Sequence, residues 1–158
     1  MEKIEIKINT DSLYTRLSRE SGLVARSRLA LGVSDTVAEI MSLTEDEKEM
    51  AENWIANSIN ETMHIMNRYL ESCSVNINRD NSNHAVEYVI SVSIPHNFPH
   101  LQSIQLEMCI KELVTSRTLQ QWYTTVKPDE ANIAITSAQN HAGLLRGILT
   151  QRERPKRI

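Results

Sequence analysis

Isoleucine and charge alternate at the start of the chain, where Ile4, Ile6 and Ile8 are spaced by Glu5 and Lys7. A repeat of two puts the isoleucines on one side of a strand, so residues 1–9 read as an N-terminal strand or arm with one buried face. Thr10 or Asp11 can cap a helix running to about Leu29, with Leu13, Tyr14, Leu17 and Val24 as its contacts and Gly22 weakening its middle. Gly32 and Ser34 break the pattern, and Asp35 to Met41 supplies one or two further turns. Thr44 and Glu47 have the spacing of a capping box, in which hydroxyl and carboxylate satisfy opposite ends of a first turn. Behind them Met50, Trp54, Ile59, Met63, Met66, Leu70 and Cys73 recur about every helical turn. No Pro or Gly interrupts residues 45–72, which predicts a helix about 40 Å long.

The period then returns to two. Val75 and Ile77 begin a short strand, Asp80-Asn81-Ser82-Asn83 is turn chemistry, and Val86, Tyr88, Ile90, Val92 and Ile94 alternate in a second strand. Residues 74–94 thus read as a β-hairpin. A lone hairpin is marginally stable, so it needs a helix beneath it or a third strand beside it. The strand at Ile4–Ile8 could serve, from the same chain or from a neighbour. Pro95 and Pro99 bracket a loop, and Pro99 suits the first turn of a helix that carries Leu101 to Val126. On that helix Leu101, Ile104, Met108 and Leu119 mark one stripe, while Leu106, Ile110, Leu113 and Val114 spread around it. Such a helix should lie centrally, packed on two sides. Pro128 and Asp129 start the last helix, with Ala131, Ile135, Ala138, Ala142, Leu145 and Leu149 along it, and residues 152–158 form a basic tail. The fold class is mainly α with a small β-hairpin (α+β), a long-helix bundle with extended termini in one domain, 1–158.

Composition sharpens this picture in two places. A chain of 158 residues can bury about 70% of its unfolded surface. With aromatics at 4% and a single Phe, its core has to be aliphatic. Charge is uneven: residues 45–52 hold five acids and one base, and residues 146–158 hold five bases and one acid. Acid at a helix start and base at a helix end suit the helix dipole. A head-to-tail contact between subunits, or a tail on phosphate, fits the same charges. No apolar run approaches the roughly 20 residues of a membrane span, and the first residues lack a signal-peptide core.

Reactive chemistry is sparse. His96 and His100 are four apart, but Asn97-Phe98-Pro99 between them is loop-like, and neither they nor His64, His84 or His141 fall in a zinc-ligand spacing. Cys73 and Cys109 form no CxxC and read as free thiols. Four glycines leave no phosphate-cradling loop. No catalytic residue, metal ligand or cofactor is assigned, and the expectation is a protein that is not an enzyme. Arg16, Arg19, Arg26 and Arg28, with the tail, could line a basic surface. A small cytoplasmic DNA-binding or regulatory helical domain is therefore the alternative from another class.

Two stretches carry a resemblance: Asp35-Thr36-Val37-Ala38-Glu39-Ile40 through Leu43–Met50 to Trp54, and Leu113–Leu119 through Gln121-Trp122-Tyr123 and Lys127–Ala131 to Ala138. Short helix, capped long helix, hairpin, long helix ending in Trp-Tyr, and a last helix with a basic tail resemble, over roughly residues 35 to 150, the head–tail connector (adaptor or neck) proteins of tailed bacteriophages. The resemblance rests on order and spacing rather than on a diagnostic motif. It implies a virion protein forming a homo-oligomeric ring, a dodecamer, that joins portal and capsid to the tail or a second neck protein. The genome passes through such a ring, which allows non-specific contact with duplex DNA. A tail terminator or other minor capsid protein is the neighbouring alternative. The interface candidates are Ile4, Ile6, Ile8, Tyr88 and Ile90 on the strands, with Arg152, Arg154, Lys156 and Arg157 in the tail.

Overall fold

The computed structural model describes residues 1–80 and 83–152. Strand β1 (Glu2–Asn9) leads directly into helix α1 (Thr10–Ala30), followed by α2 (Asp35–Met41), a single 3₁₀ turn (Glu45–Glu47) and α3 (Lys48–Ile65). The hairpin β2 (Leu70–Asp80) and β3 (Asn83–Ile94) comes next, and α4 (His100–Val126) and α5 (Pro128–Thr150) complete the chain. The mainly helical architecture with a small sheet agrees with the hydrophobic periodicities.

Each helix boundary has a local cause. Asn9, rather than Thr10 or Asp11, caps α1, its Oδ1 accepting from the amides of Asp11 at 2.9 Å and Ser12 at 3.2 Å. Asn in an extended conformation reaches the first free amides without competing for a place inside the helix. Gly32 ends the segment with φ at 101°, which a residue with a Cβ rarely adopts. The capping box forms as expected, the Glu47 carboxylate accepting from the Thr44 amide at 2.9 Å and from its hydroxyl. Pro99 is the N-cap of α4 instead of a residue in its first turn, and Pro128 opens α5.

The long helix is shorter than its periodicity suggests. It stops at Ile65, and the chain turns through Met66–Tyr69, held by the Leu70 amide on the Met66 carbonyl at 3.0 Å. Leu70 and Cys73 belong to β2, so the hairpin spans 70–94 rather than 74–94. The apolar spacing at 66, 70 and 73 fits a helix, but Ser72 to Asn78 alternates small polar residues with Cys, Val and Ile. That stretch pairs with β3 instead, and the ladder overrides a weak helical pattern.

The sheet is antiparallel in the order β1-β3-β2, so the third strand comes from the same chain. Residues directly opposite in a ladder share a face. Ile4, Ile6 and Ile8 pair with Val92, Ile90 and Tyr88, and Leu70, Cys73, Val75 and Ile77 pair with Val92, Ile90, Tyr88 and Val86. One face of the sheet is therefore apolar through its middle, with Glu2 opposite Ile94 at one end and Arg79 opposite His84 at the other. It lies on the helices, where Ile6, Ile8, Ile90, Val92 and Ile94 join Leu17, Ile55, Ile59, Leu106, Ile110 and Leu113 in one core. Trp122 locks α4 to α2 by donating from Nε1 to the Met41 carbonyl at 2.8 Å, and its ring sits 6.1 Å from that of Trp54. Ala131, Ala134, Ala138 and Ala142 are buried and let α5 close against α4.

Helix α4 takes the expected central position in its second half, where Leu113, Val114, Thr115, Ser116 and Thr118 are buried around its circumference, and leaves it in its first half. Leu106, Ile110, Leu113 and Val114 are buried, but Leu101, Ile104 and Met108 are 74%, 60% and 61% exposed. Among the described residues only one side of this first half is covered.

Candidate interaction surfaces

Three surfaces and one cluster of reactive side chains decide what the molecule can do. The first surface is the outer edge of β2. Between Glu71 and Arg79 this strand has no charged residue and no proline, and no strand pairs with its outer edge among the described residues. The other edge strand, β1, carries Glu2, Lys3, Glu5 and Lys7, the kind of charge that keeps an edge from pairing with other chains. The helices beneath the sheet cover Leu70 at the start of β2 but not its middle. Val75 and Ile77 remain 49% and 58% exposed, and Cys73 is exposed beside them. Unpaired backbone groups and uncovered apolar side chains coincide there.

The second surface is an open groove of about 780 Å³ between the first half of α4 and the second half of α5. Met108, Cys109, Leu144, Gly147 and Ile148 line it, with glutamines and asparagines at the rim. A Cβ built on Gly143 or Gly147 would meet nothing within 4 Å, so the floor is open along α5. The single charged group in the lining is Glu112, and its carboxylate already binds the Arg16 guanidinium at 2.6 Å.

At the far end of α4, the exposed face of α2 forms the third surface. Val37 and Ile40, one turn apart, are 37% and 52% exposed, while Ala38 and Met41 next to them around the helix are buried. Leu31, 74% exposed, precedes them. Asp35 and Glu39 lie away from this ridge, lining the cleft between α1 and α2 with Ala38, Ser42 and Arg26, and α2 carries no base.

The reactive side chains do not assemble a catalytic pair, although Cys109 and His141 both line the groove. The Cys109 thiol donates to the His141 backbone carbonyl at 3.2 Å, away from the imidazole. Burial, with the Glu112 charge nearby, pushes this thiol up to about 11, so it stays protonated at neutral pH. The His141 ring spends Nδ1 on the Ser137 carbonyl at 2.8 Å, which fixes its proton there. Ser137 Oγ, 3.4 Å from the same nitrogen and 3.0 Å from Ser116 Oγ, therefore faces a donor rather than a base. No group of three or more His, Cys, Asp or Glu able to hold a metal occurs among the described residues. His64 is exposed on α3, and His96 accepts at Nε2 from the N-terminal amine at 2.7 Å. The side chains of His84 and His100 lie outside the described ones. No helix among the described residues is long and apolar enough to cross a membrane.

The arginines of α1 divide. Arg16 is held by Glu20 at 2.9 Å and Glu112 at 2.6 Å, and Arg28 binds the buried Glu130 through both guanidinium arms. Arg19 and Arg26 remain exposed. Half of the anticipated basic surface thus ties α1 to α4 and α5.

Of the interface residues anticipated from sequence, Ile6, Ile8 and Ile90 are at most 2% exposed and belong to the chain's own core. Their inward positions follow from β1 joining the sheet in cis, so their side chains are not available to a neighbour. Ile4 and Tyr88 are half-buried against the same core. Arg152 donates to the carbonyls of Leu149 and Gln151 at 2.8 and 2.6 Å and lies 6.0 Å from the Tyr69 ring, which makes it a helix-end residue. Arg154, Lys156 and Arg157 lie outside the described residues. Sequence reasoning missed the groove, though it left a trace in the second apolar stripe on α4. No protein-family model, curated protein or solved structure matches the chain.

Proposed function

We propose that this chain is a structural assembly subunit, and specifically a neck protein of a tailed bacteriophage that forms a ring joining portal to tail. The observation that carries the assembly reading is the β2 edge, where free backbone groups and exposed Val75 and Ile77 coincide on a stretch with no charge between Glu71 and Arg79 to block pairing. A protein that works alone protects such an edge. A subunit keeps it for a neighbour. The neck assignment comes from the order of elements and their spacing from residue 35 to 150. In this reading the bundle forms the ring wall, the hairpin extends a neighbouring sheet, and the genome passes without base-specific contact. The subunit binds no cofactor and performs no reaction.

The test is capture of partners from assembling particles. Affinity-tagged chain, recovered from cells producing the phage whose genome encodes it, should bring down the portal and tail-completion proteins. The chain should also remain with purified particles after stringent washing. Absence from purified particles, with the tagged chain recovered free, would remove the neck reading.

A further inference from the structure

We propose that the free subunit pairs with a second copy through β2, the two strands running antiparallel about a twofold axis at Val75. The inference rests on the reading of the β2 edge as one kept for a neighbour, and it concerns the subunit before any ring forms. The register within the sheet shows which groups the edge offers. In an antiparallel ladder successive residues turn their amide and carbonyl alternately to one neighbouring strand and to the other. The Ser93 amide donates to the Tyr69 carbonyl at 2.8 Å, whereas the Val86 amide donates away from β2, to Thr10 Oγ1 at 3.3 Å. The odd residues of β3 thus turn to β2 and the even ones to β1. Ser74 and Asn76, opposite Val89 and Glu87, therefore bond to β3. Cys73, Val75 and Ile77, opposite Ile90, Tyr88 and Val86, turn their amides and carbonyls outward.

That edge is complementary to itself. Polar Ser72, Ser74, Asn76 and Asn78 alternate with Cys73, Val75 and Ile77, and the pattern reads the same in both directions from Val75. An antiparallel copy centred there sets Val75 opposite Val75 and Cys73 opposite Ile77. Each pair exchanges two hydrogen bonds, and no outward group of the run is left over. A slip of two residues sets Glu71 against Ile77 or Arg79 against Cys73. The ends match as well. Glu71 precedes the run and Arg79 follows it, so antiparallel strands bring unlike charges together at both ends, and parallel strands would bring like ones. Glu71 also bonds to Lys3 at 3.0 Å, but that lysine is 67% exposed, and such a surface pair is weak enough to leave the acid open to a second cation.

The same register covers the apolar side chains. Exposed Cys73, Val75 and Ile77 share one face, and each meets an apolar opposite across the axis. Pairing doubles the three-stranded sheet and leaves a β1 at either margin. Those margins carry Glu2, Lys3, Glu5 and Lys7, which block a third copy. The assembly stops at two. Size sets its strength: residues 72–78 make a ladder about 24 Å long and one strand wide, well below the roughly 800 Å² per partner of a self-sufficient complex. The dimer should therefore part at a few micromolar, which leaves β2 free to exchange this partner for a neighbour in a ring.

Sedimentation of the full chain should move from 18.0 kDa at a few micromolar toward twice that mass at about 0.5 mM. Over the same range the amides of Cys73, Val75 and Ile77 should gain protection from hydrogen exchange, while those of Ser74 and Asn76 are protected throughout. Ile77→Cys tests the register. Under mild oxidation its new thiol should bond to Cys73 of the other copy, because paired Cα atoms about 5.5 Å apart lie within disulfide reach. Within one chain the two positions are about 13 Å apart and stay unbridged. Adding Cys73→Ser should abolish the link. Val75→Lys sets two like charges face to face and should weaken association by at least about tenfold. Circular dichroism checks that each variant is folded, and the wild-type measurements decide the matter should one fail. A wild type that stays monomeric at about 0.5 mM overturns the proposal. So does a link that forms without Cys73, or a Val75→Lys chain that associates as the wild type does. A dimer whose chain is absent from purified particles removes the neck assignment alone; a monomer found in those particles removes the dimer alone.

Discussion

Ile104 and Ile110 stand on the same helix, six residues apart, and their truncation separates the covered face of α4 from the open one. Ile110 is fully buried and Ile104 is 60% exposed. Removing the outer atoms of Ile110 leaves a hole in the core beside Leu106 and Leu113, and Ile110→Ala should cost about 3–4 kcal/mol. The three carbons lost from a fully buried isoleucine are worth about 2.4 kcal/mol at 0.8 per methylene, and the 40% that Ile104 hides reduces this to about 1 kcal/mol. Alanine's higher helix propensity returns about 0.4 kcal/mol, so Ile104→Ala should cost roughly 0.5 kcal/mol. Urea melts followed by far-ultraviolet circular dichroism, at a few micromolar so that copies stay apart, measure both. In a chain of this length the melting temperature should fall by about 10 °C for the first and 1–2 °C for the second. Equal costs, or a larger one at Ile104, would refute the assignment of faces in the first half of α4.

Three further outcomes follow from local structure. Asn9→Ala removes the side-chain acceptor for two α1 amides and should destabilise the chain by about 1 kcal/mol in the same melts. With a thiol reagent at pH 8, exposed Cys73 should label promptly, whereas Cys109, buried and held protonated to about 11, should label only on unfolding. Burial, then the charges of Glu45, Glu47 and Asp46, lifts Tyr14 to about 12, and burial with Glu130 and Glu20 lifts Tyr123 likewise. An unfolded phenol ionises near 10, so the unfolded state loses these protons first, and stability present below pH 10 should fall between about 10 and 12. Absorbance at 295 nm should show these two tyrosines ionising late, together with unfolding; ionisation of all four near pH 10 in the folded chain would contradict it.

Most elements were legible from periodicity because covered faces leave a clean pattern. The β1 isoleucines, the Thr44–Glu47 box and the alanine side of α5 all occupy the positions that their spacing implies. The end of α3 was not legible, since Met66, Leu70 and Cys73 satisfy a helical repeat while their neighbours satisfy a strand. Only the availability of β3 as a partner decides between them. Nor could sequence tell how far the covering of α4 extends: both sides are covered around Leu113–Thr118, and one side is open around Leu101–Met108. Leu101, Ile104 and Met108 were read as core for that reason, and they are surface. The interface isoleucines failed in the opposite sense: Ile6, Ile8 and Ile90 looked available only while the partner of β1 was unassigned.

The central claim is that the β2 edge and the α4–α5 groove exist to be covered by protein. A reconstruction of the particle vertex by electron cryomicroscopy tests it at once. The account predicts a ring of copies between portal and tail, with Val75 and Ile77 against a neighbouring chain and Met108 and Leu144 covered by protein. A vertex lacking the chain, or a chain present with both surfaces facing solvent, would contradict it.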